Sequence, residues 1–308
     1  MNELYLMKVG NLYGFINNTG QFIIEPMYCD ARQFSEELAY VKTTDGKDGY
    51  INYKNDMIIS IDADYYGQFS NGLAHVKINK ESFYIDKSGN FSIKPKSVGV
   101  TGFNQSGTAV VRTEGKWGII DKLGYYVIPP IYQALSNFSE GLVAARKDDK
   151  EGYIDVNGEM VIDFKFIKAV SFSEGLAVAS LDGNNYGYIN ERGEFIIEPQ
   201  FYQAFDFKEG FARFRDSKSK YGFIDKSGKV VIKNKYQYVG DFSEGLAVIQ
   251  VKDKQGYIDT SGKVIVKPVF EPASEFKNGL AQVNYGGEWG YINKKGEFVY
   301  KPKGFDLW

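Results

Sequence analysis

The chain is short of most of what catalysts use. It has one histidine, His75, in 308 residues, so no histidine pair offers metal-ligand spacing and any Ser-His-Asp set would have to pass through that ring. Its one cysteine, Cys29, excludes an intrachain disulfide framework and a cysteine-based zinc site, and a buried thiol is expected. No Gly-x-x-x-x-Gly-Lys-Ser/Thr loop is present to cradle a phosphate. Charge of either sign is not in excess: 37 Lys plus Arg against 39 Asp plus Glu gives 37 − 39 = −2, which provides no bulk attraction to nucleic acid or to an anionic membrane. No window reaches about 18 apolar residues, and the amino terminus lacks a basic region followed by an apolar run. These absences point to a non-enzymatic, cytoplasmic chain with no cofactor, no metal, no nucleic-acid partner and no membrane insertion; leaderless export is compatible with them. The 39 acidic residues would permit carboxylate-pair glycoside chemistry, but that chemistry wants a deep, aromatic-lined cleft.

Glycine and aromatics, by contrast, are plentiful: 34 Gly, 23 Tyr and 23 Phe, the composition of many short strands joined by tight turns. They are not scattered. Trp117-Gly118-Ile119-Ile120-Asp121 has imperfect copies anchored on Gly14, Gly49, Gly152, Gly187, Gly222, Gly256 and Gly290, with Phe83 substituting for glycine in a ninth. Successive anchors lie 35, 34, 35, 34, 35, 35, 34 and 34 residues apart. A fixed period of that size marks a solenoid, propeller or array. The expectation is a single array over 1–308, with repeats starting near 4, 38, 73, 108, 142, 176, 211, 246 and 280.

Within a repeat, Leu4 to Val9 alternates, meets the turn signal Gly10-Asn11, and continues as Tyr13-Gly14-Phe15-Ile16, which reads as a hairpin. A glycine inside a strand forfeits about 0.5–1 kcal/mol relative to alanine, so its recurrence requires close approach by a ring or a neighbouring backbone. Turns such as Asp225-Lys226-Ser227-Gly228 and Asn190-Glu191-Arg192-Gly193 follow, where the first side chain bonds the backbone ahead and glycine takes a left-handed conformation. The recurrent acids are therefore turn formers. A third strand, as in Phe195-Ile196-Ile197-Glu198-Pro199, is expected to end at its proline, which cannot donate to a ladder. A link of about eleven residues, with three-residue apolar steps suited to short helical turns, then closes on Phe-Ser-Glu-Gly-Leu-Ala, intact at Phe172 to Ala177 and Phe242 to Ala247.

This pattern, with Lys116-Trp117-Gly118 and a near-equivalent at Trp289-Gly290, resembles the WG-repeat (KWG-repeat) family over essentially the whole chain. The resemblance implies bacterial, β-rich tandem repeats that mediate interactions, with no catalytic residues to carry over. Each copy is expected to be a three-stranded antiparallel meander plus a crossover link. Since no strand is left over to join the last copy to the first, the expected architecture is an open β-superhelix or solenoid, with a closed propeller-like ring as the alternative.

Departures from the repeat concentrate in copies two and three: Asp56 is read in place of the turn glycine, Asp62 in place of proline, Phe83 in place of the anchor glycine, Lys96-Ser97 in place of the apolar continuation, and Thr108 in place of leucine. They single out Asp62, Asp64, Tyr65, Tyr66 and His75 as a candidate partner-binding surface, since relaxed repeat constraints free residues for recognition and tyrosines make good contacts. Asp62-x-Asp64 is too short for a calcium loop. The expected function is a scaffold for a protein or peptide partner. Carbohydrate or cell-wall binding, from 16% aromatics able to stack on sugars, and a structural role in a larger assembly are the alternatives.

Overall fold

The computed structural model describes residues 3–95 and 99–301; Lys96, Ser97, Pro302 and Trp308 lie outside the described residues. Every regular element among the described residues is a β-strand. No helix long and apolar enough to cross a membrane occurs there. Contacts divide the chain into two compact units, Met1–Phe164 and Lys165–Trp308, taken in turn.

In the second unit, the sheet of Lys168–Ala169, Ala177–Ser180, Tyr186–Ile189 and Phe195–Phe201 sets the pattern: four antiparallel strands in chain order. Two more four-stranded sheets follow, over 203–236 and 238–270, and then the three strands Leu280–Tyr285, Glu288–Asn293 and Phe298–Tyr300. The first unit opens with a six-stranded sheet, because Phe22–Ala31 pairs with Leu12–Ile16 through its first half and with Ala39–Thr43 through its second. Four-stranded sheets over 65–93, 99–132 and 134–166 follow.

The expected three-stranded meander and helical link are thus corrected. Every link but the last, which makes only the isolated bridge Ala273–Val283, contributes a strand: Lys168 and Ala169 pair with Ser180 and Ala179, and the link turns into the next hairpin without helix. Four-stranded antiparallel blades repeated along the chain are the β-propeller arrangement. The blades are those of a β-propeller, which corrects the expected open β-superhelix or solenoid. The strand count failed where the link strand has only two residues, as at Lys168–Ala169, and carries no alternation to read; in Gln203–Lys208 and Tyr238–Ser243 the same link strand runs to six.

The Phe-Ser-Glu-Gly-Leu segment makes the tight turn. Glu174 and Gly175 take φ of 56° and 84°, and Ser173 and Leu176 exchange both backbone hydrogen bonds, a type I′ hairpin. The anchor glycine has a different cause. A Cβ on Gly187 would stand 2.4 Å from the Ile197 carbonyl oxygen and 2.7 Å from Pro199 N, because the third strand bulges across it. Register shows the bulge: Tyr186 pairs with Phe201 and Tyr188 with Ile197, four residues against two. The strand therefore runs on through Pro199, contrary to the expected stop, since a bulge on an edge strand loses nothing by a missing N–H. Where Phe83 replaces glycine, the third strand among the described residues is Phe91–Ile93, as short as Met57–Ile59 in the repeat that keeps Gly49.

Cores form between successive sheets. Leu176, Val178, Tyr188, Ile197 and Phe201 pack on Phe207, Ala212, Phe214 and Ile224 of the next repeat. Full burial of each such side chain contributes about 1.5–3 kcal/mol. Polar ties run alongside. The Tyr188 hydroxyl donates to the Phe205 carbonyl (2.8 Å) and Tyr257 to Ser274 (2.7 Å); burial holds both phenols above the usual tyrosine range. Ser173 Oγ donates to Phe207 O, and Ser243 Oγ to Phe276 O, each at 2.7 Å. The turn glutamate accepts from the amides of the next turn: Glu209 from Glu244 N (2.6 Å) and Gly245 N (2.8 Å), Glu244 from Gly279 N (2.9 Å). A lysine from farther along closes over the carboxylate, Lys226 on Glu174 at 3.2 Å and Lys294 on Glu244 at 3.1 Å. In the first unit Glu36 accepts from Asn71 N and Gly72 N in the same way.

Candidate functional site

The five residues singled out by departure from the repeat lie in the first unit, and the structure splits them. Asp62, Asp64 and Tyr65 are exposed, whereas Tyr66 and His75 are buried. The Tyr66 hydroxyl donates to Asp48 Oδ1 (2.8 Å), and Arg32 lies over the rings of Tyr40 and Tyr65 while donating to the Tyr66 carbonyl. His75 sits between Tyr65 and Tyr84, with ring centroids 5.5 and 5.7 Å away, and Nε2 is 3.2 Å from Ser82 Oγ. Burial, helped by Lys77, pushes its pKa down to about 4, so the ring is neutral at pH 7. Asp64 accepts from Lys80 N (3.2 Å). The buried pair is core of this sheet, so the five do not form one exposed surface.

Register also shifts two of the assigned departures by one residue. Ile51 pairs with Met57 as Ile16 pairs with Phe22, so the turn-glycine position belongs to Asn55, with φ of 70°, and the proline position to Ile61. Cys29 is exposed, with Sγ near the Lys42 and Thr43 carbonyls, where the sequence had suggested burial; it lies in the half of Phe22–Ala31 that extends beyond the bulge.

A cavity of about 320 Å³ lies in the second unit, lined by Asn185, Gln200, Phe201, Tyr202, Phe214, Arg215, Asp216 and Ser217. Two hairpin loops wall it. Strands Ala177–Ser180 and Tyr186–Ile189 are separated by five residues, 181–185, and strands Phe211–Arg215 and Tyr221–Asp225 by another five, 216–220. Most other repeats turn in two, as at 148–149 and 252–253. The third wall is the end of Phe195–Phe201 with Tyr202, whose ring is 55% exposed. The sequence carried a signal for this place: the anchors Gly152, Gly187 and Gly222 are separated by two consecutive 35-residue intervals, the extra residue falling in the hairpin.

Arg215 lines the cavity. Its guanidinium lies 6.0 Å from the Tyr202 ring and 5.8 Å from the Tyr221 ring; Nη2 donates to Ser219 Oγ (2.6 Å) and Nη1 to Gln203 Oε1 (3.4 Å). Its Nε has no hydrogen-bond partner, and no carboxylate pairs with it among the described residues. Arg213, two residues earlier, is neutralised instead, with Nε 2.7 Å from Asp241 Oδ1. The acids near the cavity are spent on their own loops. Asp216 accepts from Lys218 N, Lys220 N and Asn234 Nδ2 at 2.7–2.9 Å, and Asp182 from Asn184 N, Asn185 N and Asn185 Nδ2 at 2.8 Å. These donors, the Lys220 amide first for Asp216 and the Asn185 amide first for Asp182, hold both carboxyls below the usual range.

No cluster of three or more histidine, cysteine, aspartate or glutamate side chains fit for a metal occurs among the described residues. The recurrent acids face their own turns, as where Asp225 Oδ1 accepts from Ser227 N (2.9 Å) and Lys229 N (3.1 Å).

The family model for the WG containing repeat matches nine times, at 13–47, 49–81, 83–117, 117–150, 152–184, 186–218, 221–254, 256–289 and 289–306. The chain belongs to the WG-repeat family. No curated relative matches this WG-repeat chain. Among solved structures, a eukaryotic initiation factor is similar at 11% identity and a TM-score of 0.67, over 97% of this chain and 94% of that one. The computationally designed Ika8 protein is similar at 12% identity and a TM-score of 0.54, over 95% of this chain and all of the designed one. At such identities the likeness concerns the fold alone.

Proposed function

We propose that this WG-repeat propeller is a non-enzymatic interaction scaffold that holds a protein or peptide partner at the hairpin-loop cleft of its second unit. The observation that carries this reading is the division of labour among side chains. The residues that recur are used up in packing, turns and ties between repeats, whereas the cleft presents Tyr202, which stands outside the repeat pattern, beside Arg215, whose strand position is also cationic at Lys8, Arg112 and Arg146. An exposed tyrosine, an arginine and an apolar floor of Phe201 and Phe214 make a surface of the kind that anchors a partner. The recurrent tyrosines do not serve as sugar platforms, because Tyr50, Tyr84, Tyr153, Tyr188 and Tyr257 are no more than 1% exposed. Affinity purification with the wild-type chain and with Tyr202→Ala tests the reading: a partner held by the first and released by the second is expected. Equal retention by both would place the binding surface elsewhere.

A second reading, a structural subunit of a larger assembly, draws on a different observation. One position of the edge strand is an exposed branched aliphatic in repeat after repeat: Ile23, Ile58 and Val161 in the first unit, Ile196, Val231 and Ile265 in the second. Charges and prolines nearby, as at Glu198-Pro199 and Lys267-Pro268, guard those edges against indiscriminate pairing. Sedimentation at high concentration separates the readings, since self-assembly through the edges raises the mass and a monomer removes that route.

A further inference from the structure

We propose that the cleft between the loops 181–185 and 216–220 is a pocket for an acidic peptide, in which Arg215 binds a carboxylate side chain and Tyr202 supports the apolar residue beside it. This rests on the scaffold reading and names the chemistry of the partner.

The argument begins with Arg215 as an unmatched cation. A guanidinium is always charged and presents its donors in a planar fork that suits a carboxylate. Here Nη1 and Nη2 each give a hydrogen bond to a neutral oxygen, one of them at 3.4 Å, and no carboxylate pairs with the group among the described residues; Nε is itself buried without a partner and is not presented to the cleft. The nearest acids cannot swing over to satisfy it without unmaking their turns, since Asp216 alone holds three donors from its own and a neighbouring strand. Of the residues that line the cleft, Arg215 carries the positive charge and Asp216 the negative one, and the Asp216 carboxylate is already taken up by the Lys218 and Lys220 amides and Asn234.

Size and shape agree. A cavity of about 320 Å³ takes one or two side chains, not a folded domain edge. Phe201 and Phe214, both about 6% exposed, form an apolar floor, while Tyr202 is largely exposed beside them with Arg215 over its ring. Asn185 and Gln200 add amides at the mouth, suited to a peptide backbone. The same loop lengthening in two adjacent repeats builds both walls, and insertions confined to one side of a repeat array commonly mark the side that binds.

The test uses the full chain on an array of hexapeptides in which Asp or Glu is flanked by Leu, Phe or Tyr, each beside its Asn or Gln counterpart. Hits are measured by fluorescence polarisation with the wild type, Arg215→Gln and Tyr202→Ala. We expect at least a tenfold loss of affinity when the peptide acid becomes an amide, a similar loss in Arg215→Gln, a several-fold loss in Tyr202→Ala, and weakening as salt rises from 50 to 300 mM. Lys294→Ala, remote from the cleft, should bind as the wild type does. Unchanged thermal unfolding of the two cleft variants separates lost binding from lost fold. Equal binding of acid and amide peptides, or undiminished binding by Arg215→Gln, overturns the carboxylate assignment while leaving a retained partner, and hence the scaffold reading, intact. Absence of any peptide hit together with binding to a neutral glycan array overturns it in favour of a sugar ligand. Absence of any retained partner sinks the scaffold reading itself.

Discussion

Repeats two and three of the first unit and repeats six and seven of the second depart from the common pattern in opposite ways. The former lose consensus side chains, and the fold absorbs each loss: Phe83 packs at 5.3 Å against Phe91, and His75 enters the core. The latter keep their consensus side chains and gain one residue in a hairpin, and a cleft opens between the loops. Substitution at a packing position is repaired locally because neighbouring side chains refill the space. Lengthening at a loop cannot be refilled, since nothing packs there.

That contrast can be broken or sharpened by experiment. The largest effect should come from Gly187→Val in an intact repeat, where a side chain would collide with the bulged strand; urea unfolding should show a loss of about 3–5 kcal/mol. Phe83→Ala, at the equivalent position of a repeat where the side chain packs on Phe91, should cost about 1–2 kcal/mol, and parity between the two variants would erase the distinction. Glu209→Ala removes a carboxylate that accepts two amides of the next turn and should cost about 1 kcal/mol by the same measurement.

Acid provides a graded probe. The folded pKa of His75 lies below its unfolded value, so the unfolded chain binds the extra proton; stability is full above about 6.5 and falls as pH drops toward about 4. His75→Gln should flatten that slope in thermal unfolding between pH 7 and 4.5. For Glu174, burial favours the neutral form, but the Gly210 amide and Lys226 outweigh it and hold the carboxyl low, so its contribution too is lost as pH falls below the usual glutamate range. The smallest effect is expected from Lys226→Ala, about 0.5 kcal/mol or less, because the ion pair with Glu174 is half exposed.

Much of the fold was legible because repetition multiplies weak signals. Gly118 or Asp121 alone says little; eight glycines and a full series of Asp or Asn turns at one spacing reveal a strand needing an open face and a turn needing a cap. The fourth strand was hidden by its length, since Lys168–Ala169 is held by pairing with 179–180 and by nothing in its own composition. Pro199 misled for a related reason: a missing donor ends a ladder only where a ladder is needed, and a bulged edge has none there. Ser173 and Glu174 looked like parts of one turn, yet each also serves the following repeat, a use that appears only when two repeats are set side by side. The cleft was half legible. Its interval was in the anchor spacing, while the openness of Arg215 depended on where Asp216 and Asp241 spent their charge.

The ties between repeats have a bearing on how the protein is made. Each joins residues close in sequence: 17 apart for Tyr188 and Phe205, 34 for Ser173 and Phe207, 52 for Lys226 and Glu174. A nascent chain can therefore fasten every module to its predecessor within a few dozen residues of synthesis, without waiting for distant segments to find each other.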